Sequence, residues 1–549
     1  MSNKLTRKWV VLLLACTMLI TLLAACGSKS NNGGNNGASG NAGSNNSGSN
    51  APATTPATTP AAADYGDTGG LTLPLVDKPT EITWMVAADF NVDNTLVVQE
   101  LEKRTGIKVK FQTVPSAQYK DKLSVTLASG DLPDIFYGLP LNDLKEIGQE
   151  GGVAAINDYT DMLPNFNKLY MEENPWVISS YGDENGKLYS WPIYELNRDV
   201  NHGFMYRKDI FDANGIQPWT DTESFYQAMK QLKEIYPDSY PYASKTGVGI
   251  FRDWAYGWGI GSFEYPVFYN EGAGQWQLAS TTAEHKAQLD FMKTLYNEGL
   301  VDPEFITDTT DSWTSKMTTD RSFVTWDWIG RLDLFYGQVK DANPDYNLRY
   351  GYPVGPTGNI RTLPKVDANF ALAVAQNKNT EASLKLLDYL TSESGSQLIS
   401  LGVEGVNYEW DANGKPVYPE LADREVVDIF ALGEKYGMWL ESTYLRPDKR
   451  SVYFNFTERE QEAQDMINND NRFEALDPVL NFTADEVSAI VDIKSSIQTA
   501  AEEFNTKYIL DPAFGEAQWN EWVARTESLG VAKMLEIYNA AQARYEAAQ

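Results

Sequence analysis

Cysteine and histidine are scarce in this chain of 549 residues: two of each, Cys16, Cys26, His202 and His285. With no cysteine after Cys26, no disulfide can brace the folded part, and packing must hold it together. A zinc centre or a Ser-His-Asp triad needs histidine beside other donors, and no nucleophile motif accompanies His202 or His285. Positive charge is short as well: 45 Lys and Arg stand against 75 Asp and Glu, a formal net charge of −30. That balance argues against a nucleic-acid partner and against direct electrostatic adhesion to anionic lipid. The apolar run from Trp9 to Leu23 falls short of the roughly 20 residues a membrane span requires.

What that run does have is a frame. Lys4, Arg7 and Lys8 precede it and Leu22-Leu23-Ala24-Ala25-Cys26-Gly27 closes it, the layout of a secretory signal. Leu-Ala-Ala-Cys resembles the lipobox of bacterial lipoproteins, which implies cleavage before Cys26 and a diacylglyceryl thioether on its sulfur. The alternative is an ordinary signal peptide in which Cys26 is incidental. One acyl chain anchors only marginally, so at least two are implied. From Ser28 to about Asp64 the chain is Asn, Gly, Ser, Ala, Thr and Pro with almost no bulk, a composition that predicts a disordered tether. About 40 such residues span roughly 35 Å root-mean-square. Residues 1–25 are thus read as leader and 26–64 as lipidated cysteine and tether.

The chain length exceeds one core, so two or more lobes are expected. Glu81 to Val86 reads as a strand, Asp93 or Asn94 as the cap of a helix ending at Gly106, and Ile107 to Phe111 as a strand with one face buried. A helix from Ser116 to Ala128 and a strand at Ile135 to Tyr137 complete a βαβ rhythm, the mark of an open α/β sheet. Thr220-x-x-Glu223 forms a capping-box pattern, Lys365 to Ala375 reads as a strand, and the end is mainly helical, with Val531, Met534, Leu535, Tyr538 and Tyr545 as a buried stripe.

Several stretches carry a family resemblance: Gln99 to Ile107, Gly130 to Asp134, Met205-Tyr206-Arg207-Lys208-Asp209, Leu295 to Pro303, Leu387 to Leu390, Gly402 to Tyr408 and Leu535 to Tyr538. Together they resemble the extracellular solute-binding lipoproteins of bacterial ABC importers, of the large family-1 sugar-binding type. The resemblance implies an α/β, periplasmic-binding-protein-like (type II) fold: two lobes joined by hinge strands, closing over a sugar. Crossings fall near Pro192 to Asn197, near Pro364 to Ala368 and after Pro416. Lobe 1 would hold 65–195 and 367–430, and lobe 2 would hold 196–366 and 431–549. The family has no catalytic apparatus and delivers its ligand to membrane permease subunits. The implied protein is a cofactor-free monomer at the outer face of the cell membrane, and the long tether favours a Gram-positive-type surface.

A sugar has apolar C–H faces and a polar rim, so a binder needs aromatic platforms beside carboxylates, amides and Arg. Fifteen Trp and thirty Tyr exceed the needs of a core. Trp254 and Trp258 stand four apart among glycines. Trp326 and Trp328 share a strand face near Arg331, Trp191 sits at the first hinge, and Asp89 and Asn91 follow the first strand, where open α/β sheets bind ligands. For each tryptophan the alternative is packing in a lobe core. Glu404 and Tyr408 resemble the Glu-Gly-x-x-aromatic pattern that in related oligosaccharide binders looks like part of the cleft wall. Asp411-Ala412-Asn413-Gly414 reads first as a hairpin turn. With Glu409 and Glu420 it also approximates a calcium loop, although Glu takes the first position and Pro416 and Pro419 interrupt. A lipid-anchored glycoside hydrolase or lyase is the enzyme alternative, and a peptide- or metal-delivering lipoprotein the other; no paired-carboxylate motif marks the first.

Overall fold

The computed structural model describes residues 64–262, 264–424 and 427–547. The leader, Cys26 and nearly all of the tether therefore lie outside the described residues. From Asp64 onward the chain is one compact unit.

Its first sheet follows from the βαβ pattern. Thr80–Ala87 runs parallel to Ile107–Val114 with all eight residues in register, from Thr80 opposite Ile107 to Ala87 opposite Val114. The helix Leu96–Thr105 joins them and stops because Gly106 takes φ 72°, the left-handed C-cap conformation that disfavours side chains. Its start differs from the expectation: Asn94 is itself left-handed at φ 63° and turns the chain, so Thr95 is the cap residue. The alternation in the second strand places Ile107, Val109 and Phe111 inside and Lys108 and Lys110 outside. Ile135–Phe136 adds a third parallel strand through Trp84 and Ile135. The strand Val366–Val374 then inserts antiparallel between Ile135–Phe136 and Trp191–Tyr194.

A second, three-stranded sheet has His202–Arg207 at its centre, antiparallel on both sides to Val324–Trp328 and Leu348–Gly351. Helices Thr222–Ile235, Ala283–Asn297 and Ala484–Leu510 supply its apolar cover. The capping box falls one residue later than read, with the Asp221 carboxylate accepting from the Ser224 N–H at 2.8 Å. On the last helix, Val531–Ala547, Val531, Met534 and Tyr538 are buried, with Ile537 inside where Leu535 and Tyr545 were expected.

Apolar side chains separate into cores that follow the two sheets. One joins Ile82, Trp84, Trp191, Leu372 and Leu387; another joins Phe204, Trp219, Phe225, Trp254 and Phe504. Ala431, Leu432, Tyr436, Trp439, Leu440 and Leu445 belong to the first core, whereas the sequence reading places everything from residue 431 in the other lobe. The helix Ile429–Tyr436 carries its apolar residues toward the first sheet, and core membership changes only near the helix Glu458–Asp470. At the neck three backbones lie side by side: the Glu195 N–H donates to Lys365 O at 2.7 Å and the Tyr194 N–H to Leu445 O at 2.8 Å.

Candidate functional site

The first sheet reaches the neck at the start of the strand Val366–Val374, where Val366 lies opposite Tyr194. In that strand, strict alternation would put residues 366, 368, 370 and 372 on one buried face. Val366, Ala368 and Leu372 are buried, but Phe370 is 53% exposed. A β-bulge between Asp367 and Leu372 turns it outward, and Phe370 adopts φ 55°. Holding a bulky residue there costs on the order of 1–3 kcal/mol, and such strain concentrates at binding sites, as do bulges. Neighbouring groups hold the bulge: the Asp367 carboxylate accepts from the Asn369 N–H at 2.9 Å, and Phe370 O accepts from the Gly138 N–H at 3.1 Å.

Phe370 opens onto a cavity of about 810 Å³, within the range of small-molecule sites. Pro140, Lys145 and Trp176 flank it on the first lobe, Asp477, Leu480 and Phe482 on the second, and Pro364 and Lys365 at the neck. Asn481 ties the two sides together: its Oδ1 accepts from Lys145 Nζ at 2.8 Å and its Nδ2 donates to Gly182 O at 2.7 Å.

The second lobe adds an aromatic wall. Trp326 and Trp328 do share a strand face, and His202, directly opposite Trp328 in register, joins them. The imidazole stacks on Trp326 at 5.1 Å between centroids and lies 3.8 Å from Trp328, whose ring is 53% exposed. Burial, with Arg361 as the next contributor, lowers the His202 pKa to about 3, so the ring is neutral. Asp327 points to the other face, where it pairs with Lys245 at 3.0 Å and Arg331 at 2.6 Å. Arg331 also lies over the Trp313 ring at 5.1 Å, so its guanidinium is engaged inside the lobe. Beside His202 a hollow of about 20 Å³ is lined by Asp253, Tyr256, Asn359 and Arg361. Tyr256 and Arg361 also border a hollow of about 10 Å³ with Glu474 and Asp477, and Asp477 reaches the large cavity. Tyr256 and Arg361 are thus shared by the two small hollows, and Asp477 by the second hollow and the large cavity. Burial raises the Asp253 carboxyl to about 6 and that of Glu474 to about 7, the latter accepting from Asn359 Nδ2 at 3.3 Å.

Other expected residues lie elsewhere. Trp191 is fully buried in the first core and donates from Nε1 to Thr391 Oγ1 at 3.1 Å. Trp254 is fully buried in the second core and donates to the Tyr242 hydroxyl at 3.0 Å. Trp258 packs with Ile260 and Phe268. The Trp254–Trp258 segment nonetheless contributes its middle residue, Tyr256, to the hollows. Asp89 stands at the expected strand end, but its carboxylate accepts from the Ser116 N–H and Oγ at 3.1 and 2.9 Å. Asn91 closes a turn by accepting from the Asp93 N–H at 2.7 Å. Glu404 is exposed in a turn bridged to Tyr408, whose ring is buried in the first core.

The segment read first as a hairpin turn and alternatively as a calcium loop forms a hairpin. Glu409–Trp410 pairs with Pro416–Val417, and the Asp411 carboxylate accepts from the Asn413 and Lys415 N–H groups, both at 2.8 Å. Glu420 pairs with Lys435 at 3.1 Å. Among the described residues no group of three or more His, Cys, Asp or Glu is placed to hold a metal ion. Phe370, Lys145, Tyr256 and His202 were not singled out by the sequence reading. Only the Asp-x-Asn-aromatic step at 367–370, which favours a local turn inside a strand, carried any signal.

A family model described as bacterial extracellular solute-binding protein matches residues 97–403, more than half of the chain. Among curated relatives, the polygalacturonan/rhamnogalacturonan-binding protein YtcQ of Bacillus subtilis is 26% identical over 358 residues, 60% of this chain and 67% of its own. Lipoprotein LipO of the same organism is 26% identical over 58% of this chain and 64% of its own, so the match spans about two thirds of these relatives. Among solved structures, alginate-binding protein AlgQ2 without calcium ion superposes with a TM-score of 0.68 at 20% identity, covering 85% of this chain and 98% of that one. An extracellular solute-binding protein from Bifidobacterium longum subsp. infantis gives 0.69 at 17%, with the same coverage. These likenesses establish the two-lobed type II fold, and the chain belongs to the bacterial extracellular solute-binding protein family.

Proposed function

We propose that this protein captures an oligosaccharide in the interlobe cavity and delivers it to the permease subunits of an ABC importer. The observation that carries the reading is the large cavity with the exposed ring of Phe370 on a strained bulge in its wall, with Trp328 beside His202 as a second exposed ring on the other lobe. Flat rings next to carboxyls, amides and Arg suit the apolar faces and polar rims of sugars. Relatives support the cargo class. YtcQ is named for polygalacturonan and rhamnogalacturonan, and a Streptococcus pneumoniae relative, 26% identical over 364 residues, is named a carbohydrate ABC transporter substrate-binding protein. Binding shifts the population toward closed lobes, the state a permease would recognise.

The reading includes a binder without turnover, monomeric, with lobes changing near residues 196, 365 and 457. It also includes export and anchoring at the outer face of the cell membrane through acyl chains on Cys26, supported by the Leu-Ala-Ala-Cys sequence and the lipoprotein relative LipO. A thermal-shift screen against oligosaccharides tests the cargo. Ligand at 100 times its Kd adds about 2.7 kcal/mol of stability. A saturable shift with the sugar recovered intact is expected. Shortened sugar would indicate a hydrolase or lyase, and a shift with peptides alone would indicate a different cargo.

A further inference from the structure

Three lysines line the interlobe cavity, and two have carboxylate partners. Lys494 Nζ meets Glu264 at 2.6 Å and Lys365 Nζ meets Glu195 at 3.5 Å. Lys145 differs. It sits on the helix Leu141–Gln149 with only 8% of its surface exposed, and its ammonium donates to the neutral Asn481 amide oxygen. Among the described residues no carboxylate comes within 4.0 Å of it. The acids that act on it from a distance, Asp183 and Glu184, both accept from the Gln149 amide. Across the cavity, Asp477 accepts from the Tyr269 N–H at 2.9 Å and from the Ser262 hydroxyl, and Asp367 is turned to the Asn369 backbone. Tyr181, Tyr538 and Tyr545 complete the titratable lining, and burial raises all three, so they are neutral at physiological pH.

A buried ammonium without a counter-ion is costly, and in folded proteins it is either paired or tends to lose its proton. Burial accordingly lowers the Lys145 pKa to about 8. A fold that retains this arrangement at the wall of a ligand cavity leaves a place for an anion to enter from outside.

We propose that the cavity takes a carboxylate-bearing oligosaccharide, a chain containing uronic acid, and that one carboxylate seats on the Lys145 ammonium beside Asn481. This rests on the oligosaccharide reading above and names the class of sugar. The ring faces lie against the aromatic lining of the first lobe, Phe370 and Trp176, and Lys145 is a specificity-determining contact. Binding has a proton signature. A carboxylate beside the ammonium raises the Lys145 pKa, so at pH 8–9 binding takes up a proton. Affinity for the acid falls as pH rises through about 8, and affinity for a neutral sugar does not.

The test is titration calorimetry of the purified protein and of Lys145→Gln with uronic-acid oligosaccharides, each beside its methyl ester, with sulfated and neutral oligosaccharides as further arms. The glutamine retains a hydrogen bond to Asn481 and removes the charge, so the variant should melt at or above the native temperature. We expect the acid to bind at least tenfold more tightly than its ester, the variant to lose that preference, and heats at pH 8.5 to vary with buffer ionisation enthalpy as proton uptake requires. Acid and ester binding alike, preference persisting in the variant, or binding of sulfated chains alone would overturn the inference. Binding of neutral sugars without any uronide would also overturn it while leaving the oligosaccharide reading in place. Failure of every sugar would remove both.

Discussion

Two tryptophans separate binding from stability at the scale of single residues. Trp328 is half exposed at the end of the strand Val324–Trp328, whereas Trp191 is enclosed in the first core with its indole nitrogen hydrogen-bonded. Trp328→Ala is expected to weaken oligosaccharide binding by at least about 1 kcal/mol, roughly fivefold, with little change in melting temperature. Trp191→Ala should instead destabilise the fold by about 3–5 kcal/mol, read by denaturant titration. Asp253 and Glu474 supply a pH prediction. Burial raises both carboxyls, to about 6 and about 7, so the folded state favours their protonated forms. Their contribution to stability is fully present below the unfolded carboxylate values and is lost as pH rises through 6 to 7. Combining Asp253→Asn with Glu474→Gln should flatten the melting temperature between pH 5 and 8, and an unchanged slope would contradict this assignment. The sequence shows which tryptophans stand beside polar partners. It does not show which are enclosed, because enclosure depends on segments hundreds of positions away, such as Thr391 against Trp191.

Among the elements, the strand Val366–Val374 does the most to shape the site. It was legible as a strand, and its insertion next to Trp191–Tyr194 brings the second crossing beside the first. Its bulge was not legible. A period-two reading puts Phe370 inside, and the outward turn depends on Asp367 and Asn369 satisfying each other locally while Gly138 bonds the Phe370 carbonyl. Phe370→Gly tests what the strain is for. Glycine adopts φ 55° without penalty, so stability should hold or rise by about 1 kcal/mol while affinity falls. Loss of both stability and affinity would make the ring structural instead. The strand Val324–Trp328 behaved more simply: alternation alone predicts the shared face of Trp326 and Trp328, and the structure adds His202 from the neighbouring strand.

Over the whole molecule, the lobes are held at the neck by adjacent backbones and across the cavity by Asn481. Removing that bridge with Asn481→Ala should favour the open arrangement, seen in solution scattering as a larger radius of gyration without sugar and an undiminished contraction when sugar is added. An unchanged radius would mean that the neck alone sets the opening. The sequence by itself determined the α/β class, the order of strand and helix through the first sheet, the likeness to solute binders and the acidic balance. These depend on local periodicity, on capping residues and on composition, which are properties of neighbouring positions. Only the tertiary structure decided that residues 431–445 pack in the first core, that Trp191 and Trp254 are enclosed, and that Lys145 lines the interlobe cavity with no carboxylate within 4.0 Å among the described residues. Burial and charge pairing are set by which distant segments meet, and those meetings leave no period in the chain.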